Sequence, residues 1–310
     1  MLNDKENEYQ LDIYKIETKQ KLDKKKIILV ILIIVAFICV ILIQKNISKT
    51  IEEYKVYKQY EAQVESINHQ AEEKIKAEEA KKEKERQEKL PNLTEAGKEN
   101  ISKIYHSDTK RAFLTFDDGP STVTSKILDT LKQENIKASF FVLGSNVEAR
   151  PEMVKRMYDE GHFIGIHGTS HVYSQIYQSP QSVLDEYNMC NEKIKNALGE
   201  QEYNPHLFRF PGGLAGGKYA EVKAQAKELL LQNNIEHVDW NALNGDAETN
   251  KLSSEFEMKR LQETTAGKNS VVILMHDAQA KSVTADTLPQ IISYLKEQGY
   301  EFENFYQIIK

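Results

Sequence analysis

The sequence predicts an α/β fold, a distorted (β/α) barrel preceded by a transmembrane helix and a charged helical stalk. Three observations predict it. Ile27 to Ile43 is an uninterrupted apolar run, residues 45 to 90 hold no Gly or Pro and are dense in charge, and from about Lys110 short apolar runs alternate with helical patterns.

The apolar run lies at the lower end of what is needed to cross roughly 30 Å of hydrocarbon. It is long for a signal-peptide core, and Gln44-Lys45-Asn46 follows it instead of a small-residue cleavage site, so an uncleaved anchor is expected. Lys24, Lys25 and Lys26 abut its start, with Lys19 and Lys21 upstream. The positive-inside bias then assigns residues 1–26 to the cytoplasm, 27–43 to the membrane and everything beyond to the outside, making a single-pass cell-membrane protein with an extracellular catalytic part.

Residues 44–90 read as an exposed helical stalk, with the densest charge from Glu72 to Lys89. Ile51, Tyr54, Val56, Tyr57, Tyr60 and Val64 give its first half a weak apolar stripe, but the second half offers only Ile75 and alanines. A stalk-mediated dimer is therefore left open, and a semi-rigid spacer is the favoured reading. Cys39 lies in the apolar run and Cys190 in a helical apolar pattern, which leaves no intrachain disulfide. A net charge of −6 and the lack of a basic stripe with interleaved aromatics exclude a nucleic-acid partner.

After a linker, 91–107, residues 108–310 make the globular domain, long enough to bury about 70–75% of its unfolded surface. Strands are expected at Ala112 to Phe116, Ala138 to Val142, Phe163 to Ile166, Leu207 to Arg209, Ile235 to Trp240, Val271 to Met275 and near Tyr300. Helices are expected at Ser125 to Gln133, Glu152 to Asp159, Ser182 to Leu198, Tyr219 to Leu231, Ser253 to Thr264 and Thr287 to Glu297.

Asp117 and Asp118, His167 and His171, Arg209, Asp246, and His276 with Asp277 all fall just after strands. Reacting groups gather where parallel strands end, so these residues are expected in one pocket. Adjacent aspartates repel if both stay ionised in a confined site. A cation on one frees the other for proton transfer, so Asp118 with His167 and His171 makes a two-histidine, one-carboxylate set with positions open for water and substrate. Zinc is the first expectation, and cobalt, nickel or manganese also suit these ligands. Singly, a DGP string is most often only a turn and an HxxxH pair is weak; the ordered set is what carries the reading.

The motifs resemble those of the polysaccharide deacetylases with the NodB homology domain, carbohydrate esterase family four, over about residues 108 to 310. Thr115 to Pro120 (TFDDGP) looks like the first motif, His167 to His171 (HGTSH) like the second, Phe208 to Gly213 (FRFPGG) like the third and Leu274 to His276 (LMH) like the fifth. The fourth departs from D-x-x-D-W: it keeps Asp246 but has Leu243 and Ala247 at the other marked places. Phe210 and Gly212 stand where proline and an aromatic are common.

The resemblance implies a NodB-type barrel and metal-dependent removal of acetyl from an N-acetylated sugar. It implies Asp117 as general base steadied by Arg209, His276 as general acid oriented by Asp246, and substrate contacts at Pro211, Gly212, Leu274 and Trp240. With the expected anchor, the polymer expected as partner is peptidoglycan, acted on at N-acetylglucosamine. Another acetylated surface glycan, and a glycan-binding module that has lost catalysis, are the alternatives.

Overall fold

A computed structural model of the chain describes residues 26–34 and 50–310. The chain divides into two compact units, Met1–Lys81 and Lys82–Lys310.

In the first unit, residues 26–34 are helical (α1). The expected transmembrane helix is corrected here. At about 1.5 Å per residue the described helix rises only ~14 Å, residues 35–43 of the apolar run lie outside the described residues, and no helix among the described residues is long and apolar enough to cross a membrane. α2 (Thr50–Lys89) begins in this unit and ends in the second. Ion pairs three and four residues apart, such as Lys58 with Glu61 at 2.8 Å, lace its surface.

The second unit takes in the last turns of α2, where Arg86 donates to Glu200 at 2.6 Å and to Glu202 at 2.9 Å. Residues 91–107, expected as a linker, carry α3 (Glu95–Ser102), capped by Thr94, whose hydroxyl accepts from the Gly97 amide at 2.9 Å. Gly97 permits close backbone approach, since a Cβ there would lie 2.2 Å from the Ile309 carbonyl oxygen.

The globular order is then β1 (Arg111–Asp117), α4 (Thr124–Gln133), β2 (Ser139–Val142), α5 (Gly144–Ala149), α6 (Pro151–Asp159), β3 (Phe163–Ile166), α7 (Tyr173–Ile176), α8 (Pro180–Leu198), β4 (Leu207–Phe208), α9 (Ala220–Gln232), β5 (Glu236–His237), β6 (Ala242–Leu243), α10 (Ser254–Thr265), β7 (Ser270–His276), α11 (Ser282–Glu297), β8 (Glu301–Glu303) and α12 (Tyr306–Ile309). All strand pairs are parallel, in the order β5-β4-β3-β2-β1-β7-β6, with β8 on the first half of β1. The expected barrel is thus a curled half-barrel. Its outer strands β4, β5 and β6 hold two residues each, and no pairing joins β5 to β6 among the described residues. The strand expected over Ile235 to Trp240 shrinks to β5, and Ala242–Leu243 forms a separate strand on β7.

Alternation along the strands divides the core in two. Ala112, Leu114, Phe116, Phe140, Ile164 and Ile273 face the main helical layer, where Ile127, Val154, Cys190 and Leu288 pack on them. Phe113, Phe141, Phe163 and Val272 face the other way and meet Ile101 of α3 with Phe305 and Ile309 of the carboxyl-terminal segment. Both faces are covered, as parallel sheets require. Cys190 is buried, its thiol pushed up by that burial, in keeping with a small core residue.

Candidate active site

The strand face that carries Phe113 also carries Thr115 and Asp117, and the pairing of β1 with β7 sets Asp117 beside His276. Leu274 is on that row too, its register partners being Thr115 on β1 and Leu243 on β6. The polar residues that follow β1, β3, β4, β6 and β7 therefore meet at one end of the sheet.

Asp118 has left β1 and turned, with φ +72°, and its carbonyl accepts from the Asn146 side chain at 2.7 Å. Its Oδ1 is buried without a hydrogen-bond partner, 3.6 Å from His167 Nε2 and 3.4 Å from His171 Nε2. The three ligand atoms lie within 4.8 Å of one another. His167 Nδ1 lies 2.7 Å from the Arg209 carbonyl, which can only accept, so Nδ1 carries the proton and Nε2 keeps its lone pair. Burial pushes the pKa of His167 down to about 3, with Asp118 opposing, so the ring is neutral. An orphaned carboxylate oxygen facing two imidazole nitrogens, one of them held in the ligating tautomer, fits a divalent ion well. Asp118, His167 and His171 thus form a possible metal site.

Asp117 is 1% exposed. Burial raises its pKa, and the Arg209 guanidinium, donating to Oδ1 at 2.8 Å, is the main opposing influence. Arg209 is itself fully buried. It also donates to Thr115 Oγ1 at 2.7 Å and to the carbonyls of Val238 at 3.1 Å and Asp239 at 3.0 Å, and it lies 4.0 Å over the Phe141 ring. On the other side, His276 Nδ1 is 2.7 Å from Asp246 Oδ1, and the His276 amide donates to Oδ2 at 2.8 Å. Burial acts against a charged His276, but Asp246, helped by Asp117 and Asp118, outweighs it and raises the pKa to about 9.

The third-motif loop is fastened from behind. Tyr177 donates to the Pro211 carbonyl at 2.7 Å, Lys223 to the Gly213 carbonyl at 2.6 Å, and the Leu214 amide donates to Asp239 at 3.0 Å. Gly212, at φ +75°, has no room for a side chain, because a Cβ would lie 2.7 Å from the Tyr173 hydroxyl. A Cβ on Gly213 would lie 3.1 Å from the Trp240 ring, which lies 5.9 Å from the Arg209 guanidinium, while Phe210 is buried against Phe208.

Two residues, Glu186 and Tyr173, escaped the sequence reading, and a third, Asp277, takes a different place from the one expected. Glu186 holds the histidine loop: it accepts from the amides of Thr169 and Ser170 and from the Ser170 hydroxyl, the latter two at 2.9 and 2.8 Å. Its signal was a carboxylate on the apolar face of α8, between Val183 and Cys190. Asp277, expected in the same pocket beside His276, instead braces the DDGP turn. It accepts from Thr124 Oγ1 at 2.6 Å, and a Cβ on Gly119 would lie 2.0 Å from its carboxylate. Tyr173, edge-on to His171 at 5.5 Å between ring centres, stands at the mouth with 39% exposure, and nothing in its local pattern marks it.

Asp117, paired with Arg209, and His276, paired with Asp246, lie side by side on adjacent strands next to the Asp118, His167 and His171 cluster, an arrangement suited to hydrolysis. The sequence profile of the polysaccharide deacetylases matches residues 105–232. A peptidoglycan-N-acetylglucosamine deacetylase of Bacillus cereus is 34% identical over 216 residues, covering 69% of this chain and 76% of the relative. The Listeria monocytogenes peptidoglycan-N-acetylglucosamine deacetylase is 38% identical over 194 residues, and the match spans only 37% of its length. Among solved structures, a Streptococcus mutans CE4 esterase superposes with TM-score 0.62 at 32% identity, over 70% of this chain and 96% of that one. The chain belongs to the polysaccharide deacetylase family.

Proposed function

We infer that the chain hydrolyses the acetamide of N-acetylglucosamine in peptidoglycan, releasing acetate and leaving a free amine on the polymer. The reading is carried by the opposition of Asp117 and His276 on adjacent strands beside Asp118, His167 and His171. The names of the Bacillus and Listeria relatives support the substrate. Such a polymer lies outside the cytoplasm, so the catalytic unit works there.

Asp118, His167 and His171 would hold the ion, and zinc suits two imidazoles and a carboxylate. Bound there, the ion supplies Lewis acidity to the amide carbonyl and to a water. Asp117 accepts the proton of the attacking water, and Arg209 keeps that carboxylate oriented through Oδ1 with Oδ2 free toward the pocket. The Gly212 N–H, at a position where no side chain intervenes, faces the developing oxyanion. An amine leaves poorly unless protonated, so His276 donates a proton from Nε2 while Asp246 holds Nδ1. Leu274 lines the space for the acetyl methyl, with Pro211 and Trp240 beside the sugar.

Metal analysis of the purified chain, with free-amine release from peptidoglycan, tests the reading. One divalent ion per chain and amine release by wild type but not by Asp117→Asn are expected. A chain that binds metal yet releases no amine from peptidoglycan or another acetylated glycan would overturn it.

A further inference from the structure

The carboxylate that holds His276 is itself held by a second, deeper acid. Glu257 of α10 is fully buried, and its two oxygens reach the loop of Asp246 by separate routes. Asn244 Nδ2 donates to Glu257 Oε2 at 3.0 Å, while Asn244 Oδ1 accepts from the Asp246 amide at 3.2 Å. Thr284 of α11 bridges the other route: its Oγ1 lies 3.1 Å from Glu257 Oε1 and 3.0 Å from Asp246 Oδ2.

A hydroxyl carries one proton and cannot donate to two carboxylates at once. Asp246 is already the acceptor for the His276 amide at the same Oδ2, and it pairs with Nδ1 through Oδ1. The Thr284 proton completes that set of donors, which leaves its oxygen lone pair facing Glu257 Oε1. Two oxygen acceptors at 3.1 Å without a proton between them would repel in a dry interior. From this proton count we propose that Glu257 is held as the neutral acid and acts as a positioning residue, donating to Thr284 so that the Thr284 proton is aimed at Asp246 and fixes the carboxylate that orients His276.

Glu257, Thr284 and Asp246 then each have partners of the right kind, His276 Nδ1 is held by Asp246, and Asn244 satisfies the remaining Glu257 oxygen. Burial followed by the nearby Asp246 charge raises the pKa of Glu257 to about 7, with Thr284, Asn244 and Thr287 opposing, in the same direction as the proton count. Among the described residues, the charged or titratable groups facing this chain are Asp246 and Glu248 from the loop after β6, His276 from β7 with Asp117 and Asp118 beyond it, and Lys281 ahead of α11, which donates to the Asp246 carbonyl at 2.6 Å.

The inference rests on the deacetylase reading only for its rate measurement. The first test is the titration of the His276 ring by NMR in the zinc-loaded full chain labelled with 15N-histidine, the signal assigned through His276→Gln. Gln in place of Glu257 keeps a donor for Thr284 and carries no charge, so Glu257→Gln is expected to leave the His276 midpoint within about 0.3 pH unit of wild type. If Glu257 were ionised, removing its charge would lower the midpoint by roughly one pH unit or more, and that result overturns the proposal. The second is kinetic: Thr284→Val, close in shape but without the hydroxyl, is expected to lower kcat about tenfold at unchanged KM, with Thr284→Ser restoring it. An unchanged kcat in Thr284→Val removes the relay. Should Thr284→Val fail to fold, or wild type prove inactive on glycans, the Glu257→Gln titration still decides.

Discussion

Asp117 and Asp246 are matched in burial, each 1% exposed, and each holds one nitrogen base at hydrogen-bonding distance, yet their surroundings prepare them for opposite work. The partner of Asp117 is a guanidinium, which does not give up its proton, so the carboxylate is the member of the pair able to take one. The partner of Asp246 is an imidazole, and there the ring titrates, with its pKa raised to about 9. The lesson is that the partner, more than the carboxylate, sets the role. In the proposed mechanism a base and an acid are thus built around the same residue type, one at the end of β1 and one in the loop that meets β7.

Breaking the base side should have the largest effect. Asp117→Asn leaves Arg209 a neutral partner of the same shape and is expected to cut amine release by about 10²–10⁴ while the bound metal stays at wild-type level. Retention of rate within tenfold would take the base role away from Asp117. Removing the other half of the pair, Arg209→Met, strands a buried carboxylate, and urea unfolding should register a loss of about 3–5 kcal/mol. An unfolding free energy within 1 kcal/mol of wild type, roughly the scatter for a harmless surface change, would mean that the pair is not what keeps Asp117 in place.

The acid side sharpens the comparison because its importance depends on the leaving group. His276→Gln is expected to lose about 10²–10³ on the acetamide but less than tenfold on an activated aryl acetate, whose leaving group needs no proton. Equal losses on both would argue against proton donation. The smallest expected effect is a shift in pH profile. His276 is the proton-bearing form below its pKa, so activity that needs its proton is present at neutral pH and declines as pH rises through about 9. In Asp246→Asn the support is gone, the pKa falls toward its ordinary value of 6.5, and the alkaline decline in kcat should begin roughly two pH units earlier. An unmoved decline would dissociate Asp246 from His276.

Much of this was legible before folding was considered. The apolar runs Ala112 to Phe116 and Val271 to Met275, each broken at once by charged residues, announce buried strands that end in a site, and the two-histidine, one-carboxylate set is legible there, while the base and acid roles follow from the family resemblance. What escaped had at most a weak local signature. Glu186 and Glu257 lie on amphipathic helices, where one carboxylate resembles any other until the helix is docked. Tyr173 opens the one-turn helix α7 after the histidine pair, and its placement depends on how that turn packs on α8. The apolar run at Ile27 shows the opposite failure, since a composition suited to a membrane reads as a full span and the described helix covers only residues 27–34 of it.

By itself, the sequence placed the candidate residues at the ends of short apolar strands, because side-chain type and apolar runs are local properties of the chain. Only the tertiary structure decided that the sheet stays an open half-barrel, that Asp277 braces a turn while Asp246 takes His276, and that Glu257 lies behind them both. Those outcomes depend on which distant groups are brought within 3 Å of one another and on the removal of water around them, and neither distance nor burial is written in any short stretch of the chain.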